Sequence, residues 1–240
     1  MKLLVVNPNS SVGMTEEIQG NIERYWSSQP DNIPLIHYYT GPKESPAQIS
    51  DEESSNKSRD VCFPELRDPN SPYFYGLYNG VLIACFSDHP LVEALSNTAT
   101  ASNSKTVIIG LLNSSISYCS LQYNKTFSIL TSNKEWVQIL NNSVENKFIT
   151  MSSKKLWKGT VSTDLEVLDL HNQQNFETIV SIAQNENVEK LGSNLIILGC
   201  AGFSALYPRL QSVWGNEKLV RFVEPVTLGI ETLIFLCQVA

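Results

Sequence analysis

Two of the five cysteines, Cys85 and Cys200, sit where a reactive thiol would be useful. Each closes a short apolar run, Val81-Leu82-Ile83-Ala84 before Cys85 and Leu195-Ile196-Ile197-Leu198-Gly199 before Cys200. A run of that kind reads as a buried strand, and in open parallel α/β sheets ligands bind just beyond the C-terminal strand ends. Cys85 is followed by Phe86-Ser87-Asp88-His89-Pro90, where proline suits the first turn of a helix. A helix N-terminus beside a thiol lowers its pKa and favours the thiolate. Cys200 is flanked by Gly199, Ala201 and Gly202, small residues that let the backbone approach a ligand closely. The two cysteines lie 115 residues apart, close to half the chain.

Two thiols on opposite faces of one carbon can invert it. One, as thiolate, removes a proton; the other, as thiol, delivers one from the far side, and the roles exchange for the mirror-image substrate. The carbanion needs an adjacent carbonyl, with backbone N–H groups and hydroxyls around the oxyanion. Ser87, Thr131 and Ser132 fall at strand ends suited to that task. Neither a metal nor a nucleotide is needed, so no cofactor is expected. A third strand end carries Asn7-Pro8-Asn9-Ser10-Ser11, where Asn7 offers an amide to a substrate or simply builds a turn that caps the next helix. His89 could tune the Cys85 thiolate or cap its helix. His37 and His171 read as structural, and Cys62, Cys119 and Cys237 as incidental thiols.

The elements that would position these groups alternate. Strands are expected at Lys2–Asn7, Ile33–His37, Gly80–Ala84, Thr106–Leu111, Thr126–Thr131, Lys147–Thr150, Asn194–Gly199 and Val220–Val223. Helices are expected at Met14–Ser28, Pro90–Ala101, Lys134–Val144, Phe176–Leu191 and Val226–Cys237. Alternating β and α elements imply a layered α/β fold with mostly parallel sheets. Thr40–Asn56, rich in proline, serine and acidic residues, reads as an irregular surface loop or a substrate-covering loop; Ser45 lies on it. Asp68–Tyr78 reads as an insertion. The polar break Ser102-Asn103-Ser104 suggests a first lobe over 1–103, completed by a C-terminal helix at 227–240, and a second over 104–226.

Composition narrows the partners. Hydrophobic residues at 42% and charged residues at 17% are ordinary for a globular chain of 240 residues. A net charge of -7 without a basic run argues against nucleic acid or an anionic membrane surface. No stretch approaches the ~20 apolar residues of a membrane span. An odd number of cysteines with no CxxC argues against a disulfide framework and a zinc site. A cytoplasmic protein is the expectation.

Asn7-Pro8-Asn9-Ser10-Ser11 with Met14-Thr15, Ala84-Cys85-Phe86-Ser87-Asp88-His89-Pro90-Leu91, and Leu198-Gly199-Cys200-Ala201-Gly202 together resemble the three signatures of the hydantoin racemase family, within the aspartate/glutamate racemase superfamily. The Cys-Phe-Ser-Asp-His-Pro-Leu form is similar to fungal members associated with purine-ureide breakdown. The resemblance implies two pseudo-symmetric three-layer α/β lobes with the active site in the cleft between them. It implies Cys85 and Cys200 as the acid/base pair, Asn7 as a substrate contact, a hydantoin-ring substrate such as allantoin, and a homo-oligomer. Ser45, Phe86, Ser87, Thr131, Ser132, Ala201 and Gly202 complete the candidate contacts. Three stretches bear on the family's pattern. Asn113 stands where members usually carry glutamate, Thr131-Ser132-Asn133 stands for a Ser/Thr-Thr-Gly run, and Glu224-Pro225-Val226 is kept. Alternatives on the same fold are an amino-acid racemase of the aspartate type, a maleate-type isomerase, or a ligand-binding homologue with weak turnover.

Overall fold

A computed structural model describes residues 1–27, 33–166, 169–170, 172–214 and 220–239. His171 lies outside them. The chain divides into two compact units, 1–111 with 226–240, and 112–225. Each holds one four-stranded, all-parallel sheet flanked by helices.

In the first unit, β1 (Lys2–Asn7), β2 (Leu35–Thr40), β3 (Gly80–Ile83) and β4 (Val107–Gly110) lie in the order β2-β1-β3-β4. The helices are α1 (Val12–Ser27), α2 (Glu52–Leu66), α3 (Pro90–Ala101) and, joining β4 to the second unit, α4 (Leu111–Ser120). Leu4, Val6, Val81 and Ile83 on the strands pack with Cys62, Leu66, Leu91 and Leu95 on α2 and α3. Central strands covered on both faces explain the unbroken apolar runs. Because β4 pairs with β3, the first unit continues past the break expected at Ser102–Ser104, which is only the end of α3 with Asn103 left-handed at φ 55°.

In the second unit, β5 (Phe127–Thr131), β6 (Trp157–Ser162), β7 (Leu195–Leu198) and β8 (Arg221–Val223) repeat the pattern as β6-β5-β7-β8. Its helices are α5 (Glu135–Ser143), α6 (Phe176–Ile182) and α7 (Tyr207–Trp214); α8 (Pro225–Val239) returns to the first unit. Leu130, Ile196, Leu198, Phe203, Leu210 and Phe222 lead its core.

The sixth strand corrects the expectation at Lys147–Thr150. That segment is the end of a wide helical turn (Val144–Phe148) extending α5, and the strand is Trp157–Ser162. Gly159 sits at φ 110° at a register shift between β5 and β6, a bulged edge strand whose Lys-Gly interrupts the apolar pattern. The helix expected at Phe176–Leu191 is regular only to Ile182, then continues as wider turns over Ala183–Lys190. There the buried Asn187 donates Nδ2 to Ser128 Oγ at 2.8 Å and to the Ile129 carbonyl at 3.2 Å. No helix among the described residues is long and apolar enough to cross a membrane.

Candidate active site

The strand ends of both units are built to one plan. Ala84 N donates to the Val6 carbonyl and Gly199 N to the Leu130 carbonyl, each at 2.8 Å. Gly41 N donates to Asn7 O, and Thr163 N to Thr131 O, each at 2.9 Å. At the opposite ends, Asn79 Oδ1 accepts from Lys2 N and Asn194 Oδ1 from Thr126 N, at 2.8 and 3.1 Å. Cys85 and Cys200 each come two residues after the third strand of their unit in sequence, and Asn79 and Asn194 share their 115-residue spacing. Both thiols are half-buried, whereas Cys62 and Cys119 are buried. Burial pushes the Cys62 thiol up to about 11 and raises that of Cys119 further, which keeps both protonated and inert.

In the first unit, the structure brings Asn7, Ser45, Cys85, Phe86 and Ser87 to the C-terminal edge of the sheet. Ser87 is buried, with Oγ 3.5 Å from Cys85 Sγ and its N–H donated to the Cys85 carbonyl at 3.0 Å. Phe86 is buried beside them. Asn7 is placed as expected, but its amide is committed to its own turn. Nδ2 faces Asn9 Oδ1, Ser11 O and Thr15 Oγ1 at 2.9–3.0 Å, and Oδ1 accepts from Asn9 N at 3.3 Å. Two N–H groups with three internal acceptors leave no donor over for a substrate. Ser45 is likewise buried and donates to the Pro8 carbonyl at 2.5 Å. Ser10 N donates to Pro46 O, so the stretch after β2 is strapped onto the Asn7–Ser11 turn. Gly41 permits this approach: a Cβ there would meet Pro8 O at 2.6 Å.

His89 is the side-chain cap of α3. It is almost wholly buried; Nδ1 accepts from Leu91 N at 3.3 Å, and Nε2 lies 2.8 Å from Ser58 Oγ, which donates to Ser55 O. With Nδ1 accepting, the proton sits on Nε2 and is donated to Ser58. Burial, then the Arg59 charge, lowers the imidazole pKa from 6.5 to about 3. His89 is therefore a neutral cap, and the question left open by the sequence resolves in favour of capping.

In the second unit, Thr131, Ser132, Cys200, Ala201 and Gly202 share the C-terminal edge of the sheet. Thr131 and Ser132 are buried; Thr131 Oγ1 donates to Gly199 O at 3.4 Å, and Ser132 O accepts from Ser162 Oγ and Thr163 Oγ1. Cys200 packs against the second core, and Ala201–Phe203 forms a single tight turn after it. Sequence reading missed two features here. Buried Ser204 donates to the buried Glu224 carboxylate at 2.7 Å, tying the Cys200 turn to the end of β8. Exposed Lys134, three residues after Thr131, pairs with Asp164.

The sequence matches the Asp/Glu/Hydantoin racemase family over residues 3–233. The chain belongs to that family. It is an enzyme of the racemase class. A relative, Protein DCG1 of Saccharomyces cerevisiae, is 49% identical over 97% of this chain and 95% of its own length. The hydantoin racemase of Rhizobium meliloti is 26% identical over 96% of this chain and 86% of its own. Among solved structures, the allantoin racemase from Klebsiella pneumoniae shares the fold with TM-score 0.74 at 18% identity, covering 100% of this chain and 88% of that one.

Proposed function

We propose that the protein racemises 5-substituted hydantoins, allantoin foremost, by passing a proton between Cys85 and Cys200. The observation that carries this reading is the matched placement of two half-buried thiols, one per unit, each two residues beyond the equivalent strand. The thiolate of one takes the proton from ring carbon 5, and the electron pair moves into the adjacent carbonyl as an enolate. The thiol of the other returns a proton to the opposite face, and the next turnover starts with the roles exchanged. Ser87 serves the Cys85 side; Ser132 and the backbone of Ala201 and Gly202 serve the Cys200 side, where Thr131 holds the Gly199 carbonyl. Asn7 and Ser45 act one step back, by holding the first turn rigid. The substrate reading draws on the hydantoin racemase and allantoin racemase relatives. It also fits Lys134 being engaged by Asp164, since a free α-carboxylate would ask for a cation. The reading places the protein in breakdown of cyclic ureides in the cytoplasm.

The test is enantiopure allantoin in deuterated buffer. Optical rotation should decay faster than in buffer alone while deuterium enters carbon 5. No acceleration of either process with allantoin or 5-methylhydantoin, from folded protein, overturns the reading.

A further inference from the structure

Asn133 is a buried amide that nothing within the fold explains. The residue is 8% exposed, and its Oδ1 is fully buried with no hydrogen-bond partner. The cap residue of α5 is Lys134, and no side chain caps that helix. The backbone does not require asparagine either, because Asn133 is absent from the left-handed non-glycine residues among those described, Asn103, Asn124 and Asp164. An orphaned buried carbonyl costs about 1–3 kcal/mol, so the unpaired Oδ1 here is a burden on the unliganded protein.

The first unit supplies an internal control. Asn9 lies two residues past the end of β1, as Asn133 lies two past the end of β5. Asn9 is equally buried, yet its Oδ1 accepts from Asn7 Nδ2 and Ser11 N, both at 2.9 Å. In the second unit Thr131 replaces Asn7, and its hydroxyl turns to Gly199 O instead. The same position is thus satisfied internally in one unit and left open in the other, beside Ser132 and the uncapped N-terminus of α5.

Resting on the racemase reading, we propose that Asn133 is a specificity-determining residue whose Oδ1 accepts an N–H of a urea-type group on the substrate. The open acceptor matches a cyclic ureide. It mismatches a carboxylate, which would set oxygen against oxygen. The N–H could belong to the ring or to a ureido tail, and the two compounds of the test separate these sources: allantoin carries both, 5-methylhydantoin only the ring.

The experiment measures KM and kcat of wild type, Asn133→Ala and Asn133→Ser on both compounds, with melting temperatures of the free proteins. KM for Asn133→Ala should rise about tenfold or more, as expected when a buried polar partner is lost. A rise for allantoin alone assigns the tail; a rise for both assigns the ring. Either supports the proposal when the free variant melts at or above the wild-type temperature. Unchanged KM for both compounds, or a variant that melts lower because Asn133 was structural, overturns it. Asn133→Ser serves as the second variant if Asn133→Ala does not fold. Turnover by wild type with an indistinguishable variant sinks this assignment alone. If wild type neither turns over nor is thermally stabilised by either compound, the racemase reading falls and the assignment falls with it.

Discussion

The turn after β1 and the turn after β5 start from the same position in equivalent sheets and end in opposite states. The first closes on itself: Asn7, Asn9, Ser11 and Thr15 satisfy one another, and Ser45 and Ser10 strap the following loop onto it. The second stays open at Asn133 Oδ1. A repeated architecture thus yields one self-satisfied turn and one turn with an unpaired acceptor. The symmetry of the sheets does not extend to the roles of their loops.

The largest effect expected concerns what the two units share. Cys85→Ser and Cys200→Ser should each lower racemisation by about 10²–10⁴-fold, the range for losing a general acid or base. A variant of either that keeps the full two-way rate removes that cysteine from the mechanism. Next comes what they do not share. Asn7→Ala and Asn9→Ala each leave buried partners unsatisfied and should cost about 1–3 kcal/mol in urea unfolding. Asn133→Ala should cost nothing. Equal losses at Asn9 and Asn133 would erase the distinction between the turns. A smaller effect tests the neutral cap. His89 has its folded pKa lowered to about 3 from 6.5, so its favourable contribution is complete above pH 6.5 and declines as pH falls toward 3. The stability gap between wild type and His89→Asn should narrow over that window, and a gap that widens on acidification would mean a charged imidazole. Smallest is Lys134→Ala. Its exposed pair with Asp164 should be worth less than about 1 kcal/mol, with KM for hydantoins unmoved. A large KM rise would mean that the substrate is an anion.

The inner strands, and the position of Cys85 and Cys200 just past two of them, were readable in the sequence because central parallel strands are continuous apolar runs. Helix α2 was hidden for a physical reason. Its buried face is Ser55, Ser58, Cys62 and Leu66, so no apolar period marks it. Its start, Asp51-Glu52-Glu53-Ser54, is a reciprocal cap with serine in place of the usual glutamate, and resembles a charged loop. Strand β6 was hidden by Gly159 at its bulge. At the site, asparagine types could be read but not their partners. Asn7 looked available and is engaged; Asn133 looked like a mere replacement for glycine and is the open group. Only coordinates separate the two, because hydrogen bonds of a turn depend on which neighbour is long enough to reach, and Thr131 is shorter than Asn7.

The central claim is that two thiols act on opposite faces of one carbon. The direct measurement is deuterium incorporation at carbon 5 of each allantoin enantiomer by Cys85→Ser and by Cys200→Ser, followed by chiral separation of the recovered compound. The account predicts that each variant fails to racemise yet still exchanges the proton of one enantiomer, and that the two variants favour opposite enantiomers. Exchange of the same enantiomer by both variants, or racemisation by either at the wild-type rate, would contradict it.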